Sequence, residues 1–252
     1  TTTHTATITD DDATPTVAFT AASQSSANET GTLTITAQLS AVSGLAVTVP
    51  FTVNGASTAT GGGADYSLTA SPITIPAGSA SADITVTIAG DALDEANETV
   101  VVDMGAPTNA TLGATTTHTA TITDDDATPT LSINDVSVVE GTGGGSTTLD
   151  FTVTLSAASV RTVTVEHSTA DGTAFQPADY TQIPPTVLTF NPGETTKPIS
   201  VIVTRDAFGE LDETVLLNLA NAVNAVIADS QGVGTINEDD PLPAVALIVR
   251  AS

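Results

Sequence analysis

The chain has no cysteine and no tryptophan among its 252 residues, and only four Lys plus Arg stand against 29 Asp plus Glu. Each shortage excludes something. Without Cys there is no disulfide staple and no thiolate metal ligand, so packed cores must hold the fold. A formal net charge of −25 leaves no basic face for nucleic acid, and it disfavours an anionic membrane surface. Aromatic residues make up 3% of the chain, which weakens the case for a sugar-stacking cleft. No apolar run is long enough to cross a bilayer, so no membrane insertion is expected from this segment. Helical periodicity is absent as well. The glycine triplets Gly61–Gly63 and Gly143–Gly145 therefore read as loops rather than phosphate cradles, which need a helix behind them. Disorder is the simplest reading of so acidic a chain, but 40% of its residues are hydrophobic. Set in alternation, they suffice for a core.

What the chain does have is repetition. Thr1–Thr16 recurs letter for letter as Thr115–Thr130, a displacement of 115 − 1 = 114 residues, and Pro15, Pro129 and Pro243 keep the same spacing. A unit of that length is a whole domain. Three consecutive acids mark each seam: Asp10-Asp11-Asp12, Asp124-Asp125-Asp126 and the variant Glu238-Asp239-Asp240. The division expected is a closing strand of a preceding repeat over 1–12, a first repeat over 13–126, a second over 127–240, and an opening strand of a following repeat over 241–252. Only Ala127 and Thr128 separate the middle acid run from Pro129. So short a linker, ending in Pro, cannot be a floppy tether.

Inside each repeat, apolar and polar residues alternate with period two. Leu149, Phe151, Val153 and Leu155 point one way, with Asp150, Thr152 and Thr154 the other; Leu33, Ile35, Ala37 and Leu39 form the counterpart. Similar pairs follow at Val47/Val49/Phe51 with Val163/Val165, at Ile84/Val86/Ile88 with Ile199/Val201/Val203, and at Val100/Val102/Met104 with Val215/Leu217/Leu219. About seven short strands per repeat predict an all-β chain of two tandem immunoglobulin-like antiparallel β-sandwiches. Thr fills most outward positions, as suits a β-branched residue on a solvated face.

The acids outside the seams gather before one strand. Asp91, Glu95 and Glu98 in the first repeat match Asp206, Glu210 and Glu213 in the second, each displaced by 206 − 91 = 115. The following strand returns to the same end of the sandwich and delivers the triple acid, Asp124, Asp125 and Asp126 or Glu238, Asp239 and Asp240. Adjacent carboxylates at about 4 Å repel by about 4 kcal/mol per pair at an effective dielectric near 20. Oxygen ligands in such number suit Ca²⁺, whereas Mg²⁺ wants fewer and zinc wants His or Cys.

An ordered set of motifs carries a resemblance over nearly the whole chain. It comprises Pro129-Thr-Leu-Ser-Ile133, Val139-Glu140-Gly141, Thr169-Ala-Asp171-Gly-Thr-Ala174, Ala178-Asp179-Tyr180, Phe190-Asn-Pro-Gly-Glu194 and Glu210-Leu-Asp-Glu213, closed by the acid run. The chain resembles two Calx-beta domains in tandem. The resemblance implies Ca²⁺ ligands at Glu140, Asp171, Asp206, Glu210, Glu213, Glu238, Asp239 and Asp240, with a backbone carbonyl near Phe208. In the first repeat it implies Asp91, Glu95, Glu98, Asp124, Asp125 and Asp126. That repeat departs from the pattern. Asn28 stands where the early Glu belongs, with Glu29 displaced by one, and Asn54 stands at best where Asp171 does. Fewer or weaker ions are expected there, and Asp10–Asp12 lack their upstream loop.

Other residues have plainer readings. Tyr66 and Tyr180 are expected to pack the sandwich edge with each hydroxyl on a backbone partner. His4 and His118 read as exposed strand residues. His167 has no Ser or Cys nucleophile in a recognisable setting, and the carboxylates form a multidentate cluster rather than a glycosidase pair. No enzymatic activity is expected. Arg161, Lys197, Arg205 and Arg250 read as local counter-charges. The expected role is a calcium-binding structural segment of a large secreted or cell-surface adhesin or filament. Its partners are neighbouring repeats of the same chain and other copies in a filament, and Ca²⁺ stiffens the inter-domain junctions. Two other roles compete: an adhesion module gripping a host or matrix glycan or protein, and a regulatory Ca²⁺ sensor pair.

Overall fold

In a computed structural model, residues 2–9, 11–26 and 28–241 are described. The chain separates into two compact units, one of Thr1–Ala92 with Ala96–Asp125, the other of Leu93–Glu95 with Asp126 onward. Every regular element among the described residues is a strand.

The first unit places Thr111–Leu112, Thr16–Phe19, Thr32–Leu39, Ser81–Ile88 and Tyr66–Leu68 in one sheet, and Ser23–Ser25, Thr117–Ile122, Glu98–Met104 and Phe51–Val53 in the other. Its core is the alternating apolar set: Ile35, Ala37 and Leu39 face Val100, Val102 and Met104 across the layer, all buried. The second unit repeats the plan. One sheet runs Thr196–Arg205, Gly145–Leu155, Thr130–Ile133, Val226–Ile227; the other runs Val136–Val139, Gln231–Asn237, Glu213–Val223, Val163–Asp171, Thr186–Phe190. Leu149, Phe151, Val153 and Leu155 are buried, and Asp150 and Thr154 are exposed. The alternation expected for this strand is the one found.

Strands are more numerous than about seven per repeat because several break in two. Val47, Val49 and Phe51 share one parity, yet Pro50 divides them. Val47–Val49 pairs with Ile73–Ile75, while Phe51–Val53 pairs with Glu98–Met104. Pro has no N–H to continue a ladder, so the chain changes partners there. Residues 2–9, 11 and 12 are exposed and form no strand. The opening strand expected over 241–252 lies, apart from Pro241, outside the described residues.

His118 is a correction. It is 2% exposed, because Thr117–Ile122 turns His118, Ala120 and Ile122 inward. Its Nδ1 lies 2.7 Å from the Ala21 carbonyl, and its ring meets Phe19 edge-on at 6.1 Å between centroids. The corresponding inward row of the second repeat is Gly232, Gly234 and Ile236. There, bulk arrives from the facing strand: a Cβ on Gly234 would stand 2.7 Å from Leu149 Cδ1 and 2.8 Å from Phe151 Cζ. The space that His118 fills in the first core is taken in the second by side chains of the facing strand. Gly234→Ala is expected to cost about 1–3 kcal/mol by overpacking, read as a lowered thermal midpoint by circular dichroism; an unchanged midpoint would contradict this packing.

Candidate cation site

In both repeats a long strand ends in an acidic loop because the alternation stops there. In the second repeat Thr196–Arg205 gives way at Asp206, and regular pairing resumes at Glu213. The loop is ordered by its own amides. Phe208 N–H donates to Asp206 Oδ1 (2.7 Å), and Asp206 N–H donates to Glu140 Oε1 (3.1 Å). Glu210 N–H donates to Glu238 Oε2 (3.2 Å), Glu238 N–H to Asp212 Oδ1 (3.0 Å), and Gly141 N–H to Asp239 Oδ1 (2.9 Å). Asp240 N–H also donates to Glu238 Oε1. Three remote pieces of chain are thereby brought to one end of the sandwich.

They surround a cavity of about 10 Å³, the room of one water-sized sphere, lined by Glu140, Asp179, Glu210, Glu213 and Glu238 with Thr204, Leu211 and Ile236. One carboxylate oxygen from each of Asp179, Glu210 and Glu213 lies within 4.8 Å of the others, and so do those of Glu238, Asp239 and Asp240. In the first repeat one carboxylate oxygen of Glu29 lies within 4.8 Å of one of Asp91.

Crowding shows in the ionisation of these groups. Burial, then Asp179, Glu210 and Glu140, pushes Glu213 up to about 7. Burial raises Glu210, assisted by Asp179, Asp206 and Glu238. Glu140, only 6% exposed, is raised by burial and by Asp206, Glu238 and Glu210, against the lowering effect of the Asp206 amide. Desolvation and the neighbouring Asp239, Glu238 and Asp206 raise Asp240. Amides donate hydrogen bonds but carry no net charge, so the negative charge stays uncompensated.

The donor set is all oxygen, without a nitrogen or sulfur ligand, and its spacing fits a sphere of oxygens at about 2.3–2.6 Å from one centre. These residues could hold a hard divalent cation. Of the positions expected from the sequence, Glu140, Glu210, Glu213 and Glu238 line the cavity. Asp206 ties Glu140 to the loop, and Asp239 and Asp240 complete the closing group. Asp91 meets Glu29 in the first repeat. Asp125 accepts the Glu29 amide at 3.0 Å, and the Asp124 amide donates to Asn97 Oδ1 at 3.1 Å. Glu95, Glu98 and Asp124 fall outside the three groups.

Asp171 also lies outside them. Its Oδ1 accepts from the Tyr180 hydroxyl at 2.7 Å and from the Gln176 amide at 3.3 Å, so the Tyr180 partner is a carboxylate and not the backbone. Sequence reasoning missed two members. Asp179 stands in the sequence only as part of the Ala178-Asp179-Tyr180 motif, yet one of its oxygens accepts from the Phe175 amide at 2.7 Å while the carboxylate joins Glu210 and Glu213. Glu29, one residue past the expected place, is 6% exposed and joins Asp91. Asn28 instead bonds Thr30. A signal existed for Asp179: Asp-Tyr recurs at 65–66 and 179–180, and both aspartates cap their own loop. For Glu29 the signal is the one-residue displacement beside Asn28, which the sequence shows without marking Glu29 as a ligand.

A comparison with curated proteins found no match. Among solved structures, the chain is similar to CBD12 from CALX1.2, with 15% identity, a TM-score of 0.42, and 88% of this chain and 99% of that one covered. It is also similar to the calcium binding domain CBD12 of CALX1.1, with 18% identity, a TM-score of 0.41, and 82% and 80% covered. A putative carbohydrate binding protein from Bacteroides ovatus ATCC 8483 is similar at 12% identity and a TM-score of 0.38, with 81% and 64% covered. The Calx-beta domain family matches twice in succession, over residues 10–126 and 127–240, and the chain belongs to that family as two domains in tandem.

Proposed function

We propose that the two domains bind Ca²⁺ through their acidic ends and form a structural segment of a secreted or cell-surface adhesin or filament, in which bound ions stiffen the joints between repeats. The observation that carries the binding is the group Asp179, Glu210 and Glu213 around an ion-sized cavity, with Glu213 held near pH 7. Without a cation, ionising that group sets like charges against each other in a partly desolvated place. A divalent ion converts the repulsion into shared coordination. Extracellular modules take calcium at about 10⁻⁴–10⁻³ M, so such a segment is loaded outside a cell and empty inside it. The abundance of Thr on outward strand faces, the scarcity of Lys and the two-residue linker Ala127-Thr128 support a stalk of neighbouring repeats, alone or beside other copies.

The sign of the pH dependence follows from Glu213. Its folded pKa of about 7 exceeds the ordinary 4.5, so the folded form holds the proton more tightly than the unfolded form. Metal-free stability is therefore full below about pH 4.5 and declines as pH rises towards 7. In chelator, the thermal midpoint should fall between pH 5 and 7.5. Glu213→Gln should flatten that slope, raise the metal-free midpoint at pH 7.5 and weaken calcium binding about 10- to 100-fold. A flat wild-type profile, or unaltered calorimetric affinity in Glu213→Gln, would sink the assignment.

For the joints, small-angle scattering with calcium should show a longer and narrower distribution of maximum dimension than with EGTA. An identical curve in both buffers removes the stiffening role and leaves the binding untouched.

A second reading, an adhesion module, is favoured by the exposure of Phe208 (73%) and Leu211 (76%) on the acidic loop and of Phe175 beside Asp179. Apolar side chains at a charged loop mark contact surfaces. On a glycan and matrix-protein array, the native chain should bind in calcium, and Phe208→Ser with Leu211→Ser should abolish the signal; binding that survives both substitutions excludes this loop.

A further inference from the structure

The turn after the strand that ends at Leu39 in the first unit, and at Leu155 in the second, is held by the same bonds in both. Leu45 N–H donates to Ser43 Oγ and Arg161 N–H to Ser159 Oγ, each at 3.0 Å. Gly78 N–H donates to the Ser43 carbonyl at 2.9 Å, and Gly193 N–H to that of Ser159 at 3.0 Å. Asn109 and Asn224, with φ of 58° and 59°, each donate from Nδ2 to a turn carbonyl, that of Ala46 at 2.8 Å and that of Thr162 at 2.9 Å. Ser43 therefore corresponds to Ser159, Gly44 to Val160 and Leu45 to Arg161.

In the second unit a short segment is seated on this turn. Leu93–Glu95, from the first acidic loop, belongs with that unit. The Asp94 carbonyl oxygen lies 2.9 Å from Ser159 Oγ and accepts from the Val160 amide at 3.3 Å. The Asp94 side chain meets the same hydroxyl through Oδ2 at 3.0 Å, and Arg161 Nη1 through Oδ1 at 3.9 Å. Both Asp94 and Ser159 are buried. In the first unit the corresponding place is a groove of about 320 Å³ formed by residues 12–15 and 42–45 with Asn109. Val42 (60%) and Leu45 (63%) stand exposed along it, as apolar side chains at contact surfaces do.

The second acidic loop carries a matching segment. The displacement of 115 residues between the two loops puts Phe208 at the place of Leu93, Gly209 at that of Asp94 and Glu210 at that of Glu95. Phe208 is exposed, and its amide is already fixed on Asp206 Oδ1 at 2.7 Å. Where the filled turn sets Arg161 against Asp94, the groove has Leu45 and the loop has Gly209. Both partners of the ion pair are thus changed together, on segments far apart in the chain, and each side gains an apolar surface. The bonds to the Asp94 carbonyl ask only backbone of the seated segment, and Ser43 and Gly44 offer the same hydroxyl and amide.

We propose that the groove of the first unit is a socket for the Phe208–Glu210 tip of a second copy of this chain, seating Phe208 against Val42 and Leu45 and the Gly209 carbonyl on Ser43 and Gly44. Socket and tip are unlike surfaces, so each copy both gives and receives, and association continues beyond a dimer. The inference rests on the filament reading, in which repeats and copies are each other's partners, and not on calcium. A net charge of −25 opposes it, so screening by salt strengthens it.

Sedimentation velocity on the full chain reads this directly. In about 0.5 M NaCl the average mass should rise without a plateau at dimer between about 10 µM and 1 mM protein, and rise less in about 0.05 M NaCl. Phe208→Ser and Leu45→Arg should each weaken association about 10- to 100-fold. Mixed, the two variants should form a 1:1 dimer and nothing larger, since one keeps the socket and the other the tip. Leu45→Arg combined with Gly209→Asp should restore association with the opposite salt response. A native chain monomeric throughout, a dimer untouched by either substitution, or a mixture that stays monomeric overturns the proposal. Scattering on Leu45→Arg separates this from the stiffening of joints: extension in calcium there, beside a native chain that never associates, overturns the socket and leaves the stiffening, and association without extension does the reverse.

Discussion

Repulsion among carboxylates, in a chain with almost no side-chain cation to offset it, is the constraint on which both ends of these sandwiches depend. The protein meets it first with neutral donors. The amides of Asp206, Glu210, Glu238 and Gly141 each reach a carboxylate from another part of the chain, so the loop, the early strand and the closing run are stitched together. This orders the geometry without cancelling charge. Glu213, Glu210 and Glu140 are consequently harder to ionise than ordinary carboxyls. A site built this way has its shape before any ion arrives, and what it lacks is positive charge.

The β-sandwich makes that possible because its strands return to the same end. Gly145–Leu155, Thr196–Arg205 and Gln231–Asn237 share a core, and the identity of the core residues is free to vary provided the volume is conserved. The His118 and Ala120 row in the first repeat and the Gly232 and Gly234 row in the second show this directly. Phe151, standing where the first repeat has Ile35, takes space over Gly232 and Gly234 that His118 and Ala120 fill in the first repeat. Cores that differ in composition thus present their loops in the same frame.

Strand parity was legible in the sequence because burial on one face imposes it: every residue of the alternating sets at 149–155, 199–203 and 215–219 faces inward as read. Partner choice was not. Val47, Val49 and Phe51 have one parity in either sheet, and only Pro50 hints that the ladder changes. His118 was misjudged from residue type, although its neighbours Ala120 and Ile122 already fixed its side. The acidic site was legible where acids sit on one loop or at one seam, since chain proximity brings them together. It was illegible where the fold does so, as with Asp179, delivered by a loop whose capping role disguises it. Asp171 shows the converse, an acid in a recognisable motif whose oxygen is committed to the Tyr180 hydroxyl.

The seams themselves are nearly the same in both repeats, Asp124-Asp125-Asp126 and Glu238-Asp239-Asp240. Their middle acids accept an amide from equivalent positions at almost equal distances. What distinguishes the two ends is therefore the residue that faces them. Glu29 over Gly90 adds negative charge to one, and Arg205 over Gly141 adds positive charge to the other. Gly141 takes a φ of 88° that other residues avoid, so at that place the side chain comes from Arg205 on the strand opposite.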